Sequence, residues 1–313
     1  MINRRNFVKK SSLTALGATA LSGEFLSAKA IHTQAKSGPS ASASQSLSIK
    51  KCLKYSMVKE EMPIADQFMM LRDIGFDGVE MDAPSELKID DVLEAKDKSG
   101  LEIPGVINSM HWKAPLSDPD PDVRARCRQA TETALRDCKA YGGSTVLLVP
   151  GVVNDKVSYQ DAYQRSQMEI RKLLPIAEET GVKIAFENVW NNFLLSPVEA
   201  ALYVDQFDHP MVGWYFDVGN VVRYGWPQHW IQALDKRILK LDIKEYSRKK
   251  QVEEGIWKGF EVELLEGDCN WPEVNKALEK INYAGWASAE VKGGDRKRLA
   301  FISQKMDEIF NLS

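Results

Sequence analysis

The chain has 313 residues, 44% hydrophobic and 27% charged, with 41 basic against 44 acidic side chains and a formal net charge of −3. An ordinary apolar fraction excludes a mainly disordered chain, and a slightly acidic balance excludes nucleic-acid binding by bulk charge. No apolar run reaches the ~20 residues of a membrane span.

The first feature in chain order is a leader. Residues 1–30 carry Arg4-Arg5 ahead of Phe7, a mildly apolar stretch from Ser12 to Gly23, and a small-x-small site at Ala28-Lys29-Ala30. This is a signal-peptide layout, and the paired arginines resemble a bacterial twin-arginine (Tat) signal; a generic secretory signal is the alternative. The expectation is a periplasmic or otherwise exported protein. Tat substrates are exported already folded, which suits an enzyme that loads a metal first. Residues 31–48 are small and polar, a flexible linker, so the fold is expected over 49–313. Cys52, Cys127, Cys138 and Cys269 show no zinc spacing and no CxxC, and read as free thiols. Cys127 and Cys138 fall on one expected helix, where eleven residues span about 16 Å, too far for a disulfide.

From residue 50 strands and helices alternate. The expected strands are 53–57, 78–81, 103–108, 145–149, 182–187, 212–217, 238–243 and 286–291. The expected helices are 63–74, 89–99, 122–141, 158–180, 196–207, 227–234, 272–281 and 296–310. Gly75, Gly100, Gly142 and Gly181 stand as helix stops, and Ser196-Pro197 as a cap followed by proline. Eight such units predict an α/β protein, a single (β/α)8 TIM barrel. A doubly wound open sheet is the alternative, but neither GxGxxG nor a Walker A motif follows any strand.

The chemistry lies at the strand ends. Glu187 closes strand five, Asp217 strand six and Glu290 strand eight, while Asp242 sits within strand seven. Adjacent barrel strands bring these ends together, and four converging carboxylates need a cation. Oxygen ligands suit a hard divalent ion.

The segments Ala185-Phe186-Glu187-Asn188, Phe216-Asp217-Val218-Gly219-Asn220, Leu241-Asp242-Ile243-Lys244-Glu245 and Ala289-Glu290 resemble the sugar phosphate isomerase/epimerase family. These are xylose isomerase-like barrels that include D-tagatose 3-epimerase, and the likeness runs from about residue 50 onward. It implies a divalent metal ion, Mn²⁺ or Mg²⁺ first with Co²⁺ or Zn²⁺ as alternatives, on Glu187, Asp217, Asp242 and Glu290. Asp242 departs from the family, which usually has histidine there, and that leaves its role as a ligand open. The resemblance also places Asn220 and Arg248 at substrate, and the matched Lys244 should point inward. Arg248 also fits a solvated basic run, and Lys244 an internal counter-charge. Of the four histidines, His111 alone lies just past a strand end, as a substrate contact, acid/base group or structural residue. Trp112, Trp190, Trp226 and Trp257 fall in strand-to-helix loops, either as sugar-stacking faces or as loop packing. The long 247–270 loop is a candidate lid.

The implied activity is proton transfer beside a carbonyl of a small sugar or keto-sugar, through a metal-stabilised enediolate, with Glu187 and Glu290 as the acid/base pair. Three other readings stand beside it. A 3-keto-glycoside lyase would use the same chemistry, a periplasmic sugar-binding protein would bind without turnover, and a zinc nuclease would need more histidines than are present. No nucleic acid partner and no membrane span is expected; monomer and homo-oligomer are equally open.

Overall fold

The structure is a computed structural model and describes residues 47–311; the expected leader and nearly all of the expected linker lie outside the described residues. Strand–helix units follow one another throughout: β1 Ser48–Leu53, α1 Ile64–Asp73, β2 Met81–Ala83, α2 Ile89–Ser99, β3 Gly105–Asn108, α3 Pro121–Tyr141 and β4 Thr145–Leu148. Then come α4 Tyr159–Arg171, α5 Leu174–Thr180, β5 Lys183–Glu187, α6 Pro197–Asp205, β6 Val212–Asp217, α7 Pro227–Leu234 and β7 Ile238–Ile243. The chain finishes with α8 Arg248–Glu253, α9 Trp271–Lys280, β8 Ala284–Ala289 and α10 Arg296–Phe310.

All strands pair in parallel in the order β1-β8-β7-β6-β5-β4-β3-β2. The sheet closes where β1 meets β2: the Glu80 amide donates to the Leu53 carbonyl, and the Tyr55 amide to the Glu80 carbonyl, each at 2.8 Å. Closure in parallel puts every strand's C-terminal end at one mouth. Sequence makes the elements stay put. β4 and β6 are buried at every residue, as strands covered on both faces must be. Asp120, Ser158, Ser196 and Asp295 cap α3, α4, α6 and α10 by accepting backbone N–H groups. Gly142 ends α3 at φ +80°, a conformation that a side chain would strain.

Several expected boundaries shift. The first strand is Ser48–Leu53, and Tyr55–Met57 forms a 3-10 turn. The lysines of β1 disguise it, because Lys51 is buried against Ser303 and Asp307 of α10. The second strand starts at Met81 rather than Gly78, and the last ends at Ala289, one residue before Glu290. The expected helix 158–180 is two helices. Pro175 has no N–H to offer the Arg171 carbonyl, so the chain breaks between α4 and α5. The 247–270 loop contains α8 and a 3-10 turn at Lys258–Phe260.

The barrel interior holds a charged chain that the strand pattern does not reveal. Lys240 Nζ lies 3.0 Å from Glu80 Oε1, and Lys54 Nζ 3.2 Å from Glu80 Oε2, which also accepts from Tyr215 OH at 2.7 Å. Gly105 makes room for it, since a Cβ there would collide with Lys240 Nζ and Glu80 Oε1. Outside the barrel, Phe186 packs on Tyr203 and Phe207 at centroid distances of 5.4 and 5.5 Å. The four cysteines are buried free thiols, and burial pushes Cys127 and Cys138 up to about 12, so they stay protonated. Among the described residues no helix is long and apolar enough to cross a membrane.

Phe186 is fully buried, and removing its ring opens a cavity between β5 and α6. Phe186→Ala is expected to cost about 3–5 kcal/mol in urea denaturation; a loss below about 1 kcal/mol would contradict this packing.

Candidate metal centre

β5, β6 and β7 deliver Glu187, Asp217 and Asp242 to the mouth, and the residue after β8 delivers Glu290. Asp217 and Asp242 are direct partners across the β6–β7 pairing. One carboxylate oxygen from each of the four acids lies within 4.8 Å of the others. Asp217 and Asp242 are fully buried and Glu187 is 6% exposed, whereas the Glu290 side chain is 37% exposed.

Neighbouring groups fix the acids. Asp217 Oδ1 accepts from the Asn220 amide at 2.8 Å. Asn188 braces the same strand end: its Oδ1 accepts from the Asp217 amide at 3.1 Å and from Trp214 Nε1 at 2.9 Å, and its Nδ2 donates to the Asp217 carbonyl at 2.7 Å. Gly219 lets the loops after β6 and β7 approach, because a Cβ there would sit 2.9 Å from the Lys244 backbone. Lys244 Nζ lies 2.8 Å from Asp217 Oδ2 and 3.1 Å from Glu290 Oε1. On the far side, Lys54 Nζ lies 2.9 Å from Asp242 Oδ1.

Burial, then the charges of neighbouring acids, pushes Glu187 well above the carboxylate range. Burial raises Asp242 as well, and Lys54 only partly opposes it. Burial would also raise Glu290, but Lys244 and Lys54 outweigh it and hold its carboxyl at about 2. Burial favours neutral Lys54; Asp242 and Glu80 prevail and keep it charged.

These residues fit a hard divalent cation. Glu187 Oε1 and Asp242 Oδ2 are buried with no hydrogen-bond donor and no lysine against them, while Asp217 Oδ2 and Asp242 Oδ1, equally buried, meet the ammonium groups of Lys244 and Lys54. Buried carboxylate oxygens in that state are costly unless a cation meets them. An all-oxygen set favours Mg²⁺ or Mn²⁺ over zinc.

Two cavities open beside the acids. One, of about 600 Å³, is walled by Trp190, Trp257 and Phe260 together with Asn220 and Lys244. The other, of about 540 Å³, is more polar and includes Lys54, Asp82, Asn108 and His111. Trp112, Glu187 and Glu290 line both. The structure thus brings His111, Asn220 and Lys244 to the acids. It does not bring Arg248. That side chain turns back to the loop after β6, donating from Nε to the Val222 carbonyl at 2.9 Å and from Nη2 to the Gly225 carbonyl at 2.6 Å. Its guanidinium covers Trp226, which lines neither cavity. The reason is local: Ser247 caps α8 just ahead of Arg248, so the chain turns away from the mouth.

Three further residues went unrecognised in the sequence. Lys54 and Asn188 are described above. Glu245 is buried and accepts from the Leu265 and Cys269 amides and from Trp271 Nε1, at 2.8 to 3.1 Å, tying down the long loop that carries Trp257. The signal for Lys54 was a lysine within the expected strand 53–57; Asn188 and Glu245 stood in the segments that carry the resemblance, but nothing there gave them a role of their own.

A closed parallel barrel with an acid cluster at its C-terminal mouth has the architecture of barrel enzymes that work at that face. Residues 68–307 match the family model described as xylose isomerase-like TIM barrel, and the chain belongs to that family. It is similar to the 2-oxo-tetronate isomerase of Pectobacterium atrosepticum, 26% identical over 75% of this chain and 88% of that protein. It is also 22% identical to an L-ribulose-5-phosphate 3-epimerase of Escherichia coli, over 70% of this chain and 79% of that one. The fold is shared with a D-tagatose 3-epimerase-like protein at a TM-score of 0.71 and 20% identity, covering 84% of this chain and 97% of the other. An Escherichia coli 3-keto-D-glucoside 4-epimerase superposes at 0.69 with 15% identity, covering 83% and 98%.

His111 supplies a pH test. Burial, reinforced by Lys54 and opposed by Glu290, lowers it from 6.5 to about 4, while its Nδ1 accepts from the Val149 amide at 3.3 Å. Its folded pKa lies below the unfolded one, so its contribution to stability is complete above pH 6.5 and is lost as pH falls towards 4. Against His111→Gln, the wild type should lose up to about 3 kcal/mol of relative stability over that window in denaturation at stepped pH. Parallel curves for the two proteins would contradict a buried neutral imidazole.

Proposed function

We propose that this chain is a divalent-metal-dependent carbohydrate isomerase or epimerase that moves a proton at the carbon next to a carbonyl. One observation carries the division of roles. Glu187 and Glu290 line both cavities, whereas Asp217 and Asp242 are fully buried behind them and line neither. Two acids therefore face substrate and two serve as anchors.

Glu187, Asp217, Asp242 and Glu290 would hold the ion, with Mn²⁺ or Mg²⁺ preferred. When bound, it supplies Lewis-acid polarisation of the substrate carbonyl and adjacent hydroxyl. Glu187 or Glu290 takes the proton from the carbon, and the other returns one to the opposite face, which inverts that centre. Return to the neighbouring carbon instead, with the hydroxyl proton passing to the former carbonyl oxygen, gives aldose–ketose isomerisation. Neutral His111 and Asn220 offer hydrogen bonds to hydroxyls, and Trp190, Trp257 and Phe260 offer an apolar wall for a ring face. The names of the related proteins, a tetronate isomerase and sugar 3-epimerases, support this class.

We also propose export: the Arg4-Arg5 leader directs the chain to the periplasm, with removal after Ala30. N-terminal sequencing of the protein recovered from a periplasmic fraction should begin at Ile31; an intact Met1 terminus there would overturn it.

The activity is tested by deuterium uptake at carbon, followed by proton NMR on ketohexoses in D₂O with the Mn²⁺-loaded protein. Uptake is expected in the wild type. Glu187→Gln and Glu290→Gln should each reduce it by about 10²-fold or more while keeping the wild-type circular dichroism spectrum. Undiminished exchange in both variants would overturn the acid/base assignment.

A further inference from the structure

We propose that Lys54 and Asp242 act as a single, net-neutral donor, and that Lys54 sets how tightly the centre holds its cation. This rests on the metal reading above and assigns a determinant of it that lies at the end of β1, inside the barrel.

The basis is the order of charges inside the barrel. Lys240, Glu80, Lys54 and Asp242 form one buried chain of alternating sign, with contacts of 3.0, 3.2 and 2.9 Å in that order. Each of these side chains is at most 6% exposed. Lys240 already balances Glu80, and Tyr215 OH satisfies Glu80 Oε2 further. The charge of Lys54 is therefore directed at Asp242. Lys54 cannot retreat, because its ammonium also rests on the Tyr215 ring, 4.5 Å from the centroid. Asp242 thus presents an oxygen to the cluster while its negative charge is matched from behind. Lys244 differs in kind: it is 15% exposed, lines the larger cavity and bridges two acids from the substrate side.

A purely structural lysine and a charge-setting one predict opposite results. A structural lysine, once lost, loosens the site and weakens metal binding. A charge-setting lysine, once lost, leaves the cluster one unit more negative and strengthens it. The test is Mn²⁺ titration of the chelator-treated full chain, read by electron paramagnetic resonance of free Mn²⁺, with melting temperatures recorded metal-free. Lys54→Met should bind Mn²⁺ about tenfold more tightly than wild type, and Asp242→Asn about tenfold more weakly, because it leaves the ammonium facing the ion. The double variant, which keeps an oxygen at 242 and removes both charges, should return to within about threefold of wild type. Metal-free, each single variant should melt below wild type, and the double variant above both singles.

Should Lys54→Met fail to fold, comparing the double variant with Asp242→Asn makes the same test, since removing the lysine must again tighten binding. Unchanged or weaker binding on removing Lys54 would overturn the proposal. A wild type that binds no Mn²⁺ would instead overturn the metal reading on which it rests.

Discussion

Four carboxylates brought within 4.8 Å of one another in a largely buried space set the terms for everything around them. At that distance and an effective dielectric near 20, each ionised pair repels by roughly 3 kcal/mol. A folded barrel does not gather such groups at its mouth unless positive charge is gathered there too. Lys244 supplies one charge from the cavity side and Lys54 another from the barrel interior. Glu187 Oε1 and Asp242 Oδ2 still have no hydrogen-bond donor, and it is there that the proposed divalent cation would complete the balance.

The scaffold divides the remaining work. Asn188 ties the end of β5 to the end of β6 through four hydrogen bonds involving Trp214, Asp217 and Asn220, so the acids on those strands share one frame. Glu245 does the same for the loop after β7, whose Trp257 and Phe260 pack on Trp190 at 4.8 Å between centroids. That aromatic wall meets the acids at Glu187, Glu290 and Trp112. Asp217 and Asp242 lie deep, Glu187 and Glu290 lie at the cavity edge, and the aromatic wall lies partly on a loop that the buried Glu245 helps to hold.

The parts legible in the sequence were those with local causes. Strands β6 and β7 and helices α2, α7 and α10 fall where the apolar runs, glycine stops and prolines put them, because these signals act within a few residues. Parallel barrel topology then turned four acids at strand ends into one cluster. The interior chain of Lys240, Glu80 and Lys54 was not legible, since it joins β7 to the residues flanking β1 and β2, which meet only on closure. Arg248 shows the converse limit. Position after a strand placed it near the mouth, but the capped turn into α8 decided where its side chain points.

The central claim is that these four acids hold one metal ion. The most direct measurement is anomalous diffraction near the manganese edge from crystals of the protein grown with Mn²⁺. A single strong peak among Glu187, Asp217, Asp242 and Glu290 is predicted. A protein crystallised in saturating Mn²⁺ with no peak at that position, or with its only peak on surface carboxylates, would contradict the claim.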